Sequence, residues 1–103
     1  MDKPNRWNEK ETATFFGSTP LHGAAHNGHT STVEVLLSKG ASIQPRSYGN
    51  TPLHFAASRG HTSIVELLIS KGASIDAMDS YGNTPLHGAA SFGHTGTVKL
   101  LLS

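Results

Sequence analysis

The stretch GNTPLHFAASRGHT, beginning at Gly49, is written three times in this chain: the other copies are GSTPLHGAAHNGHT from Gly17 and GNTPLHGAASFGHT from Gly82. The threonines of the three copies, Thr19, Thr51 and Thr84, are separated by 32 and then 33 residues. Self-similarity at that period marks a repeat array, in which each unit has an apolar face that it can bury only against a neighbour. Whatever explains one copy has to explain all three, and an active site is rarely written in triplicate. A chain of 103 residues is long enough for one such stack and too short for two separate cores. The expected layout is a polar segment at 1–16 and one domain at 17–103, with units of about 17–48, 49–81 and 82–103, the last incomplete.

Each unit predicts its own local structure. Thr19, Thr51 and Thr84 precede Pro20, Pro52 and Pro85. Threonine is a good N-cap, and proline suits the first helical position because the amide it lacks would have no partner there. A short first helix is therefore expected on PLHGAA or PLHFAA, ending at Gly28, Gly60 and Gly93. A second helix follows on TVEVLLSKG, IVELLISKG and TVKLLLS, whose apolar residues fall at helical spacing, with Gly40 and Gly72 as left-handed caps. The connecting segments ASIQPRS and ASIDAMDS are polar and turn-rich, suited to a β-turn or a short hairpin. The fold class is thus an all-α repeat solenoid of helix-turn-helix units joined by turn or hairpin loops. Its core is expected from Leu21, Leu53, Leu86, Val33, Leu36, Val65, Leu68, Val98 and Leu101. The paired alanines, Ala24 with Ala25, Ala56 with Ala57 and Ala89 with Ala90, let helices approach closely. The residue after each Thr-Pro-Leu-His is Gly23, then Phe55, then Gly88, so the central ring is expected to fill space left by the two glycines. That filling would partly offset a helix penalty of about 1 kcal/mol for each glycine.

The pattern G-x-T-P-L-H-x-A-A-x-x-G-H, followed by the valine and leucines of the second helix and by Gly-Ala, resembles the ankyrin repeat over residues 17–103. The resemblance implies L-shaped units stacked side by side, with turns and first helices lining a concave groove and second helices forming a convex back. It also implies a protein-binding scaffold without catalysis of its own. His22, His54 and His87 occupy the Thr-Pro-Leu-His slot, where the resemblance implies a hydrogen bond near the turn. His29, His61 and His94 occupy the Gly-His slot at the start of the second helix, and all six are read as architecture. Two departures stand out in unit two: its turn is one residue shorter than that of unit three, and Arg46 takes the slot of Asp79. Thr14 holds the same slot in unit one, so the acid that usually braces this turn is present once.

Composition narrows the partners. Eight Lys and Arg against seven Asp and Glu leave a formal charge of +1, without the basic field that a phosphate backbone requires. Nucleic acid is not an expected partner. The chain has no cysteine, which removes disulfides, thiolate nucleophiles and Cys-based zinc sites and fits a reducing compartment. The N-terminal residues lack an apolar signal core, and no apolar run approaches the roughly 18 residues of a membrane span. The expected setting is intracellular, in cytoplasm or nucleus. His22 and His26 stand four apart like the histidines of an H-E-x-x-H zinc helix, but Gly23 occupies the place of the glutamate and no carboxylate nearby supplies a third ligand. No phosphate-binding loop or nucleophile elbow appears, so neither catalytic residues, nor a metal, nor a cofactor is expected.

Positions that differ between copies are free of the stacking geometry and available to a partner. Among them Phe15, Phe16, His26, Tyr48, Arg59, Tyr81 and Phe92 are the expected partner-binding residues, since aromatics and arginine dominate interface energetics. The expected function is a protein–protein interaction module; the alternative is a spacer within a longer array or a regulatory domain of a larger protein. Val98, Leu101 and Leu102 belong to the stacking pattern with no polar capping unit after them. The expectation is therefore either further repeats beyond Ser103 or end-to-end self-association.

Overall fold

Each unit begins where a threonine leaves extended backbone: Thr19, Thr51 and Thr84 have ψ of 166°, 167° and 169°, and the proline after each enters a helix. The computed structural model describes residues 19–103. Six helices follow in order among them: α1 (Pro20–Asn27), α2 (Thr30–Ser38), α3 (Pro52–Ser58), α4 (Thr62–Ser70), α5 (Pro85–Ser91) and α6 (Thr95–Leu102). The threonine hydroxyls accept from the amides of His22 at 3.4 Å and His54 at 3.3 Å. In return, Nδ1 of each histidine accepts from the amide of its threonine at 3.0 Å. This is a capping box in which histidine does the work usually given to Glu or Gln.

Gly28 and Gly60 end the first helices with φ of 80° and 74°. Each also leaves room for the next unit. A Cβ at Gly28 would lie 2.8 Å from Cε1 of His61, and one at Gly60 would lie 2.5 Å from Nδ1 of His94. Left-handed backbone and close approach therefore both call for glycine there.

Between α2 and α3 the chain makes the tight turn rather than an extended hairpin. Ser47 and Asn50 exchange both backbone hydrogen bonds, at 2.8 and 2.9 Å, around Tyr48 and Gly49. Both central residues have positive φ, 55° and 86°, as a two-residue hairpin turn of right-handed twist requires. Tyrosine is an unusual residue to hold there. The longer turn of unit three closes instead through Asp79, whose amide donates to the Asn83 carbonyl at 2.8 Å. Its Oδ1 accepts from the amides of Tyr81 and Asn83, each at 2.9 Å. No strand longer than the Ser47–Asn50 bridge occurs among the described residues.

The first helices pack in one row, α3 between α1 and α5, and the second helices in another, α4 between α2 and α6. Leu21, Leu53, Val33, Val65 and Leu68 are sealed at the junctions, and Leu36 and Leu101 are buried with them. Ile64, Ala73 and Thr97 are buried too, although the leucine and valine pattern did not single them out. Thr97 lies in contact with α4, its hydroxyl 2.9 Å from that of Thr62. Two expected core residues, Leu86 and Val98, are only half-buried, because unit three has a neighbour on one side alone among the described residues. The expectation for Phe55 is also corrected. A Cβ at Gly23 would meet nothing within 4 Å, whereas one at Gly88 would meet Cβ of Ser58 at 2.9 Å. Gly88 accommodates Ser58, and Phe55 stands edge-on to His22 and His26.

Candidate protein-binding face

Four of the six repeated histidines bond between units, and they follow two rules of direction. Because Nδ1 of His22 and of His54 accepts an amide proton, Nε2 carries the ring hydrogen and donates forward to the next unit's turn. The acceptors are the Asn50 carbonyl at 3.0 Å and the Asn83 carbonyl at 2.9 Å. The histidines of the Gly-His slot reach backward. Nε2 of His61 donates to the His26 carbonyl and Nε2 of His94 to the Ser58 carbonyl, both at 3.0 Å. These carbonyls sit in the last turns of α1 and α3, where a helix has no partners of its own to offer. Burial holds the pKa of His54 below its ordinary value, against the raising influence of the Asn83 carbonyl and Asp79. His29 and His87 are exposed, although His87 still accepts the Thr84 amide at 2.9 Å. His22, His54, His61 and His94 are thus fasteners between units.

Fastening with side chains that lie along the rows leaves one face, built from first helices and turns, open for other use. Its relief follows from the residue after each Thr-Pro-Leu-His. Phe55 rises between two depressions that lie over Gly23 and Gly88. The smaller, of 140 Å³, is lined by His22, Gly23, His26 and Phe55. The larger, of 390 Å³, lies between units two and three, with Phe55, Ser58, Gly88, Ser91 and Phe92 among its walls. At its rim, Asp79 is held below the usual carboxylate range, chiefly by the hydrogen bond from the Asn83 amide. Arg46 donates across the turns to the carbonyls of Gly49 at 2.8 Å and Met78 at 2.6 Å. The arginine that replaces the turn-bracing acid in unit two thereby becomes a tie to unit three.

The expected partner-binding residues fall as follows. Tyr48, Tyr81 and Phe92 are 65%, 89% and 68% exposed, unusual values for rings of that size, and Arg59, next in sequence to Ser58, is exposed as well. His26 is half-buried with its ring 5.7 Å from that of Phe55, on the smaller depression. Phe15 and Phe16 lie outside the described residues. Ser47, next to Tyr48, is buried, and its backbone pairs with Asn50. Sequence reasoning gave Phe55 and Gly88 only a packing role, yet they shape the larger depression. Their signal was the Gly, Phe, Gly alternation itself. Among the described residues, no group of three or more His, Asp or Glu is placed to hold a metal ion. None of their helices is long and apolar enough to cross a membrane.

Repeated helix pairs, stacked in two rows and sealed by units alike in sequence, define a helical repeat solenoid. A family model described as ankyrin repeats in three copies matches residues 3–79 and again 44–103. The chain belongs to the ankyrin repeat family. Members of that family generally mediate protein–protein interactions and are typically without catalytic activity. A search of curated proteins returns no match.

Proposed function

We propose that this chain is a non-catalytic module that binds another protein through the face formed by its first helices and turns. One observation carries the reading. All four aromatic residues among the described ones, Tyr48, Phe55, Tyr81 and Phe92, belong to turns and first helices or their caps, and none to a second helix. Three of them expose most of their surface, where unpartnered burial of water-averse rings would otherwise be favoured. Side chains of this kind, with arginine, supply most of the energy at protein interfaces. A pre-stacked array loses little entropy on presenting them, because the fold has already fixed their spacing. Tyr48, Arg59, Tyr81 and Phe92 are the leading anchors, with His26 beside the smaller depression and Phe15 and Phe16 as further candidates.

The test is affinity capture with the full chain, identification by mass spectrometry, and affinity measurement with the purified partner. Tyr81→Ala and Phe92→Ala are each expected to cost about 2 kcal/mol of binding, and Glu34→Ala on α2 well under about 1. Circular dichroism confirms that each variant is folded. Unchanged binding in both aromatic variants, with loss in Glu34→Ala, would place the interface on the second helices instead.

A second reading, a stacking segment within a longer array, is favoured by one observation. Ala25 and Ala57 are fully buried, while their counterpart Ala90 is exposed on the outer side of unit three.

A further inference from the structure

The parts that join one unit to the next recur on the outer side of unit three, where they join nothing among the described residues. At the two inner junctions a glycine makes room for the following histidine. His61 occupies the space over Gly28 and His94 the space over Gly60, whereas a Cβ at Gly93 would meet nothing within 4 Å. His61 and His94 donate to the carbonyls of His26 and Ser58. The equivalent carbonyl of unit three, that of Ser91, accepts from no described residue outside its own helix. Nδ1 of His87 accepts the Thr84 amide, so Nε2 carries the ring hydrogen as in His22 and His54, but it has no acceptor among the described residues. On the same unit Ala90 and Leu102 are exposed, and Leu86 and Val98 are half-buried.

Unit one carries the matching parts. His29 holds the slot of His61 and His94, the two histidines that reach backward, but it is exposed and its ring has no hydrogen-bond partner among the described residues. Thr32 and Val35 follow at three-residue steps, on the same side of α2, and both are exposed. The counterparts of Thr32, which are Ile64 and Thr97, are buried, Thr97 with its hydroxyl against that of Thr62 in the preceding unit.

Two outer sides that complement each other fit a second copy of the same chain. We infer that unit one of one copy docks on unit three of another, its His29 entering the space over Gly93 and donating to the Ser91 carbonyl. Thr32 then meets Thr95 as Thr97 meets Thr62 within the chain. At both inner junctions the forward histidine donates to the residue before the next unit's threonine, Asn50 or Asn83. The residue in that place in the docking copy is Ser18, which lies outside the described residues. The two docking patches differ, so each added copy leaves one unit one and one unit three free, and the product is an open linear oligomer rather than a closed dimer. Unit three against unit three would bring no histidine to either Gly93. A junction between separate chains must also offset lost translational and rotational freedom, so the assembly depends on concentration. It is independent of the partner-binding face, which the first helices and turns keep open.

The test is sedimentation equilibrium of the full chain over a wide range of concentration. The weight-average mass is expected to rise with concentration past that of a dimer. His29→Ala alters an exposed ring of unit one, and Ala90→Arg sets a bulky charge on the outer side of unit three. Each should weaken association at least about tenfold. Circular dichroism shows that both variants keep their helices. Mixing the two is the decisive step: the intact unit three of His29→Ala and the intact unit one of Ala90→Arg should pair, giving dimers and nothing larger. A parent chain that stays monomeric at every concentration would overturn the inference. So would association that stops at a dimer and survives His29→Ala, which would set unit three against unit three, and so would association that neither variant weakens.

Discussion

Helices α3 and α5 have the sequences PLHFAAS and PLHGAAS, identical but for one residue, yet they live in different surroundings. In α3, Pro52, Leu53, His54, Ala56 and Ala57 are buried; in α5, only Pro85 and Ala89 are. Length and the Thr-Pro start are shared, and the lower helix propensity of Gly88 does not set how deeply its neighbours are buried, so none of these accounts for the contrast. The neighbours in the row of first helices do: α3 is enclosed by α1 and α5, whereas among the described first helices α5 is met by α3 alone. Stability in such a stack resides at junctions between units more than within any unit.

The comparison is broken most severely by truncating the same leucine in both helices. Leu53→Ala, which opens a cavity in a sealed junction, is expected to cost about 3–5 kcal/mol in denaturant unfolding, and Leu86→Ala about half as much. Equal losses would mean that burial by neighbours is not the controlling variable. The histidines give a smaller contrast. His54→Ala removes one partner from the Thr51 amide and one from the Asn83 carbonyl, for an expected loss of about 2 kcal/mol. His87→Ala removes an exposed cap bond and should cost under about 1.

These contrasts mark the boundary of what the sequence made legible. Thr-Pro caps, helix-ending glycines and the register of Val65 and Leu68 are local or periodic, and the structure has them where the pattern put them. The half-burial of Leu86 and Val98 depends on which neighbour is present, which no residue within the unit encodes. Direction was illegible too. His61 follows Gly60 closely but bonds to a carbonyl 35 residues earlier, and only the stack brings the two together. At the candidate face, exposed Tyr81 and Phe92 were visible as departures from the repeat, because a position that ignores the pattern is free of packing. Phe55 departs from the pattern in the same way, but its ring does not compensate for glycine; it is a ridge between two depressions.

Acid sharpens the comparison further. The folded pKa of His54 lies below its unfolded value, so unfolding takes up a proton in the interval between them. Its contribution is complete above about pH 6.5 and is lost as the pH falls from there through the depressed folded value. Denaturant midpoints measured from pH 8 to pH 5 should therefore decline less in His54→Gln than in the parent chain. Parallel curves would remove His54 as a source of the acid sensitivity. Smaller still is a pair of glycine substitutions within helices. Gly23→Ala, into open space, should stabilise by up to about 1 kcal/mol. Gly88→Ala should gain less or lose, because its Cβ meets Ser58 at 2.9 Å. A thermal melt of each decides it, and equal gains would show that Ser58 yields freely.

The proposed function rests on one face being reserved for a partner while histidines hold the units together along the rows. Amide chemical shifts of the isotopically labelled chain, recorded with and without a purified binding partner, test that most directly. Shifts should move at Tyr48, Phe55, Arg59, Tyr81, Gly88 and Phe92, with little change along α2, α4 and α6. Perturbations confined to those second helices, with the Gly88 and Phe92 amides unmoved, would contradict it.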